Sequence, residues 1–305
     1  MTRDVALVTG AASGIGHATA RRLSSAGWRV YATDVRHDAD ELAALAEAGC
    51  ETARLDVTDP WAVRAVVDRI ETEAGGIDCL VNNAGVGTWG PVEETVDDAR
   101  DVFDVNVHGT LAVTRAVLPG MRARNRGRIV TVTSVLGRTT PPGLGVYAAS
   151  KHALESLTDA LRREVRGFGV DVVAVQPGWV RTSFATHARG TDDGGNGEGS
   201  SGNGGEEPEQ SSDDVAGDRP AARGSAAYRR VRALDERLGF LEGGRLAVEP
   251  ERVAAVVREA AEADDPRTRY PVGTAARLLV ATRLLPTPVV DRGFDLLGRV
   301  AAWLD

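Results

Sequence analysis

Val5-Ala6-Leu7-Val8-Thr9-Gly10-Ala11-Ala12-Ser13-Gly14-Ile15-Gly16 lies near the start of a chain of 305 residues, and its reading decides the fold. The four apolar residues run without alternation, as a strand does when both its faces are buried in a parallel sheet. Three glycines follow, then a helical pattern over residues 17–26. A strand, a glycine turn and a helix in that order let backbone approach a pyrophosphate. The helix N-terminus adds N–H groups and the favourable end of its dipole. The spacing is GxxxGxG, not the GxGxxG of the best-known dinucleotide fingerprint.

Working outward from this turn, Arg29–Asp34 reads as a second strand with an acid at its end. Residues 51–55 make a third, ending at Asp56-Val57, and residues 78–81 a fourth, leading into Asn82-Asn83-Ala84-Gly85. Helical patterns occupy 39–48 and 61–73, and one or two helices over 92–124 contain Asn106. A fifth strand over 127–133 delivers Ser134, a helix spans 145–166, and a sixth strand over 170–176 ends in Pro177-Gly178. Later come a helix over 250–263, a last strand over 268–272 and one or two amphipathic helices over 275–304. These last complete the subunit, meet a partner subunit or rest on a membrane surface. Alternating strands and helices of this length predict an α/β fold with a doubly wound parallel sheet, as one domain over 1–305. The polar residues named above fall at carboxyl ends of strands, where such sheets bind ligands.

The second informative stretch is Tyr147-Ala148-Ala149-Ser150-Lys151. On a helix, positions i and i+4 share a face, which sets the Tyr147 phenol beside the Lys151 ammonium. A free tyrosine has a pKa of about 10 and is a poor base at neutral pH. A cation within roughly 4–6 Å favours the phenolate, which makes the side chain usable in acid–base chemistry. Lys151 is the only lysine in the chain; every other strong cation is arginine.

These motifs, in order and in spacing, resemble the short-chain dehydrogenase/reductase family in its compact form. The resemblance rests on Thr9 to Gly16, Asn82 to Gly85, Asn106, Ser134, Tyr147-x-x-x-Lys151 and Pro177-Gly178-x-x-x-Thr182, and is strong over residues 4–185. It implies a Rossmann fold with a C-terminal substrate lid and a nicotinamide dinucleotide cofactor. Tyr147 then resembles the acid–base residue and Ser134 the hydroxyl that orients the substrate carbonyl or alcohol. Lys151 resembles the residue that binds the nicotinamide ribose and lowers the tyrosine pKa. Asn106 resembles the anchor of a water-linked proton relay. Gly10, Ser13, Gly14, Ile15 and Gly16 match the pyrophosphate turn. Asp34, Asp56, Val57, Asn83, Ala84 and Gly85 match the adenosine side, while Pro177, Gly178, Val180 and Thr182 match the carboxamide end. A carboxylate at Asp34 accepts from ribose hydroxyls and repels a 2′-phosphate, so NAD is expected over NADP; nearby Arg36 and His37 leave NADP open. The expected reaction moves a hydride between nicotinamide and a secondary alcohol or ketone. Thr88-Trp89 and Arg269 to Gly273 resemble members near the hydroxysteroid and retinol dehydrogenases. With Leu136, Leu144, Trp179 and Phe184 they favour a hydrophobic substrate. Two rivals are a catalytically silent dinucleotide sensor, opposed by the intact Ser134, Tyr147 and Lys151, and a sugar-nucleotide epimerase, opposed by the GxxxGxG spacing.

Bulk composition narrows the rest. The acids between Asp192 and Asp218 outnumber the single base Arg219 by as much as the whole net charge of −8, so the remainder is neutral. No nucleic-acid footprint follows, and the run Arg122, Arg124, Arg126 and Arg128 reads as a helix end and strand entry. Cys50 and Cys79 stand at no metal-ligand or redox spacing; they read as core residues of a reducing compartment, and no metal is expected. The N-terminus lacks a signal-peptide pattern, and the best apolar run, 278–290, is broken by Arg283, Pro286 and Pro288. A cytoplasmic protein without a membrane span is therefore expected, and with the family resemblance goes the expectation of a homodimer or homotetramer. Residues 189–220, rich in Gly, Ser and acids, are read as a flexible insert, and 221–249 as a lid helix bearing Tyr228, Val231, Leu234 and Leu238.

Overall fold

All five side chains of β1 (Val5–Thr9) are buried, which only an interior strand covered on both faces can satisfy. In the computed structural model β1 lies inside a seven-stranded sheet ordered β3-β2-β1-β4-β5-β6-β7. Its other members are β2 (Arg29–Asp34), β3 (Glu51–Arg54), β4 (Cys79–Asn82), β5 (Gly127–Val132), β6 (Val170–Pro177) and β7 (Arg269–Val272). Every pairing is parallel. The structure describes residues 3–36, 40–182, 228, 231, 247–282 and 285–303. The proposed insert, His37, Phe184, Leu234 and Leu238 lie outside the described residues.

Helices cover both faces. On one, α1 (Gly14–Ser25), α2 (Asp40–Glu47) and the later Pro250–Glu262 helix bury Leu23, Leu42, Leu45, Val253 and Val257 against the sheet. On the other, α3 (Pro60–Ala74) and the Thr110–Ala123 helix bury Val63, Val67, Ile70, Val113 and Val117. Each such side chain contributes about 1.5–3 kcal/mol on leaving water, so the two layers hold the strand ends in fixed register. Both cysteines are buried and free. No described helix is long and apolar enough to cross a membrane.

Two segments depart from the sequence reading. Helix α1 begins at Gly14 and not at His17, so Gly14 and Gly16 belong to its first turn. The 92–124 stretch breaks into α4 (Val92–Thr95), α5 (Ala99–Phe103), a π turn (Asp104–Gly109) and α6 (Thr110–Ala123). The π turn contains Asn106, whose amide bridges two other elements, and such bulges re-aim a side chain without ending the helix. Beyond it lie α7 (Gly145–Val165), α8 (Pro250–Glu262), α9 (Thr274–Ala281) and α10 (Thr287–Trp303). The arginine run is structural. Arg124 donates to the Ile77 carbonyl at 2.7 Å, Arg126 pairs with Asp4, and Arg128 reaches Asp171 at 3.0 Å.

Strand order reverses between β1 and β4, because the chain runs from β1 out to β3 and returns beside β1. Loops leaving these two strands diverge, and a crevice opens at their carboxyl ends.

Candidate active site

The crevice is a cavity of about 830 Å³ that gathers residues from β1 through β7's neighbourhood. Gly10, Ser13, Gly14 and Ile15 line it, as do Asp34, Asp56, Val57 and Asn83 to Gly85. So do Ser134, Tyr147, Lys151, Pro177, Gly178, Val180 and Thr182. Gly16 and Asn106 do not form its wall.

The glycine turn is tight for identifiable reasons. Gly10 and Gly14 have φ of +68° and +52°, a region that costs other residues roughly 1–2 kcal/mol. At Gly16 a Cβ would stand 2.0 Å from the Gly10 carbonyl oxygen, so this glycine lets α1 fold back onto the turn. Asn83 clamps the turn from the β4 side. Its Nδ2 donates to the carbonyls of Thr9 and Gly10, both at 3.0 Å. Thr9 completes the clamp: its hydroxyl oxygen accepts from the N–H groups of Asn83 and Ala84, each at 3.1 Å. Sequence reading placed Thr9 in the motif without assigning it this task; only the β1–β4 adjacency shows it. Ser13 precedes α1 in extended backbone and makes no side-chain cap, so it leaves the N–H groups of the first turn uncapped.

Asp34 closes β2 at 7 % exposure. One carboxylate oxygen accepts from Ala12 N–H at 2.9 Å and the other from Arg36 N–H at 3.0 Å. The Arg36 guanidinium lies 3.7 Å from the carboxylate. Asp56 is held by Thr58, whose N–H and hydroxyl donate to it at 2.9 and 2.6 Å. Beyond β6, Gly178 N–H donates to the Val272 carbonyl at 3.0 Å, and Val180 bridges to Val248. Thr182 lies against Gly14, where an added Cβ would meet its methyl at 2.9 Å. A tight glycine cradle, a helix N-terminus that Ser13 does not cap and an acid at the β2 end fit the pyrophosphate and adenosine of a dinucleotide.

Ser134 ends β5's extension and caps the short turn Val135–Gly137, its Oγ accepting from Leu136 N–H at 3.1 Å. That leaves the hydroxyl proton for the phenol of Tyr147, with which Ser134 is hydrogen-bonded. Lys151, 5 % exposed, points Nζ at the Val132 carbonyl, 3.2 Å away, and stands 5.6 Å from the centre of the Tyr147 ring. Here the structure corrects an expectation. The phenol is not pulled down by its neighbour; burial holds its pKa above the ordinary value, and the Ser134 hydrogen bond only partly opposes this. Burial also lowers Lys151 from 10.5 to about 8. Both shifts have one cause, since a low-dielectric site disfavours either charge.

The Lys151 shift has a checkable consequence for stability. Its folded pKa lies below the unfolded one, so between about pH 8 and 10.5 the unfolded chain binds more protons and stability rises with pH. Below pH 8 the buried charge costs up to about 3 kcal/mol. Lys151→Met is therefore expected to unfold at higher urea concentration than wild type at pH 7, with the gap closing toward pH 10. A pH-independent gap, or a less stable variant at pH 7, contradicts this.

Asn106 is fully buried behind the cavity wall. Its Oδ1 accepts from Val86 N–H at 2.8 Å, and its Nδ2 donates to the Val86 carbonyl at 2.9 Å and to Ser150 Oγ at 3.0 Å. Ser150 in turn donates to the Tyr147 carbonyl at 2.7 Å. The amide thus ties the β4 loop to the helix that carries Tyr147 and Lys151.

Apolar side chains complete the cavity: Val86, Trp89, Leu136, Leu144 and Trp179. The Trp89 loop is pinned by Thr88, whose hydroxyl donates to Asp98 at 2.6 Å. Behind the wall residues, the Tyr228 hydroxyl donates to Glu93, and Val231 lies against Gly143, which also faces Trp89.

This geometry agrees with comparison to known proteins, where a family model described as short chain dehydrogenase matches residues 4–193. The chain belongs to the short-chain dehydrogenase family. It is 41 % identical over 190 residues to the oxidoreductase UcpA of Escherichia coli, a match spanning 61 % of this chain and 72 % of that protein. Retinol dehydrogenase 5 of Mus musculus is 42 % identical over 180 residues, covering 57 % of this chain and 56 % of the relative. Among solved structures it is similar to a short-chain dehydrogenase/reductase from Burkholderia phymatum in complex with NAD. That likeness has a TM-score of 0.72 and 28 % identity, over 96 % of this chain and 95 % of the other. Serine dehydrogenase complexed with NADP+ is also similar, with a TM-score of 0.69 and 27 % identity over 87 % and 93 % of the two chains. This short-chain dehydrogenase is thus an NAD(P)-dependent oxidoreductase.

Proposed function

We propose that this short-chain dehydrogenase interconverts a hydrophobic secondary alcohol and its ketone, with NAD preferred over NADP. The carrying observation is that Ser134 and Tyr147 share one cavity with five large apolar side chains and with the glycine turn. When bound, the dinucleotide supplies or accepts the hydride. The chain supplies the rest. With substrate bound, the single Ser134 hydroxyl proton turns from the Tyr147 phenol to the substrate oxygen and orients it, while Oγ keeps accepting from Leu136 N–H. Tyr147 Oη gives its proton to that oxygen in reduction and takes it back in oxidation. A phenol held above its ordinary pKa starts as the protonated partner, which is the form reduction needs. Lys151 is the cation that faces the phenolate left behind, 5.6 Å from the ring centre, and Asn106 acts as a positioning residue through Val86 and Ser150. The preference for NAD rests on Asp34, whose buried carboxylate at the end of β2 meets a 2′-phosphate with like charge.

A homologous series of 2-alkanones assayed by NADH and NADPH absorbance tests both parts. Each added methylene buried in the cavity is worth about 0.8 kcal/mol, so kcat/KM is expected to rise about fourfold per carbon until the cavity fills. A flat or falling series contradicts a hydrophobic substrate. In the same assay wild type should favour NADH, with Asp34→Ala losing that preference; a wild-type preference for NADPH overturns the assignment.

A further inference from the structure

The structure places a buried acid, Glu155, at the joint between the strand that delivers Ser134 and the helix that delivers Tyr147 and Lys151. Glu155 lies one turn beyond Lys151 on α7 and is only 4 % exposed. It does not line the cavity that holds Tyr147. Its Oε1 accepts from the hydroxyl of Thr133 at 2.7 Å and from Nε2 of Gln176 at 2.9 Å. Its Oε2 accepts from Nε of Arg269 at 3.0 Å and pairs with Nη2 of Arg138 at 2.7 Å. One carboxylate therefore binds four elements: the end of β5, the end of β6, the start of β7 and the turn after Ser134.

Two of these partners are chain neighbours of site residues, since Thr133 precedes Ser134 and Gln176 precedes Pro177. The remaining contact surface is equally tight. At Gly137 a Cβ would stand 2.8 Å from both the Glu155 Cγ and the Lys151 carbonyl oxygen, so the turn capped by Ser134 rests directly on α7. A carboxylate only 4 % exposed with all its partners in place favours one geometry, because slippage leaves a nearly buried charge short of partners.

We propose that Glu155 is a positioning residue that sets the Ser134 hydroxyl against the Tyr147 phenol. This rests on the roles given to Ser134 and Tyr147 above, and the experiment separates the two. The protein is labelled with 3-fluorotyrosine, and the Tyr147 resonance is assigned with Tyr147→Phe. Ser134→Ala should shift that resonance by removing its hydrogen bond. Glu155→Gln should shift it in the same sense, yet leave it unmoved in the Ser134→Ala background. With NADH and a ketone substrate, Glu155→Gln should lower kcat about tenfold while the KM for NADH changes less than threefold. Thr133→Val, which removes the hydroxyl's link to Glu155 together with its 3.1 Å contact to the Val175 carbonyl, should reproduce both effects at smaller size, and it carries the test if Glu155→Gln does not fold. A Tyr147 resonance unmoved by either variant overturns the proposal, as does an equal shift with and without the Ser134 hydroxyl. The resonance needs no turnover, so a wild-type protein inactive on every ketone would fail the catalytic reading alone.

Discussion

Tyr147→Phe is expected to lose between about 10² and 10⁴ of kcat, the range typical of a positioned proton donor, while dinucleotide affinity stays within a few-fold of wild type. The ring is half-buried in the cavity wall and its packing is unchanged by the loss of one oxygen, so the fold should survive. What disappears is the one group, among the described residues, that is both hydrogen-bonded by Ser134 and set beside Lys151. Steady-state turnover and a fluorescence titration with NADH check the two halves separately. Unchanged kcat would remove Tyr147 from the chemistry; lost NADH binding with lost kcat would make its role structural.

Gly16→Ala should have the largest effect on cofactor binding without touching the reacting atoms. The added methyl would stand 2.0 Å from the Gly10 carbonyl oxygen and 2.5 Å from Asn83 Nδ2. Neither can withdraw cheaply, because Asn83 Nδ2 is what holds the Thr9 and Gly10 carbonyls in place. Overpacking of this kind costs typically about 1–3 kcal/mol, and the strain falls on the turn itself. NADH affinity is therefore expected to drop at least tenfold, together with a lower melting temperature. Gly167→Ala is the matched control, since a Cβ there meets nothing within 4 Å. Equal effects at the two positions would mean that the turn geometry is not what the methyl disturbs.

Much of this site was legible in the chain because its parts are local. A glycine turn between a buried strand and a helix is contiguous in sequence, and so is the Tyr147–Lys151 pairing, which follows from helical periodicity alone. Strand ends likewise announced Asp34, Asp56, Asn83, Ser134 and Pro177, and all of these line the cavity. Asn106 was legible as a residue but not in its setting. Its helix is interrupted by a π turn, and its amide is committed to Val86 and Ser150, contacts that no local pattern encodes. Glu155 was invisible for the same reason. On a helix it reads as an ordinary surface acid, and only the arrival of Thr133, Arg138, Gln176 and Arg269 from other strands and turns makes it a joint.

The pKa relation between Tyr147 and Lys151 marks the boundary most clearly. Spacing on one helix is a property of the chain, and it put the phenol and the ammonium side by side. The direction of their shifts depends on how much water reaches them, which is set by the tertiary packing around α7 and not by spacing along it. Sequence alone determined the alternation of elements, the glycine turn and the residue types at the strand ends, since these depend on near neighbours and periodicity. Tertiary structure alone decided the strand order that opens the crevice, the contacts of Asn106 and Glu155, and the sign of the phenol's pKa shift. Each of those depends on burial and on partners brought together from distant parts of the chain.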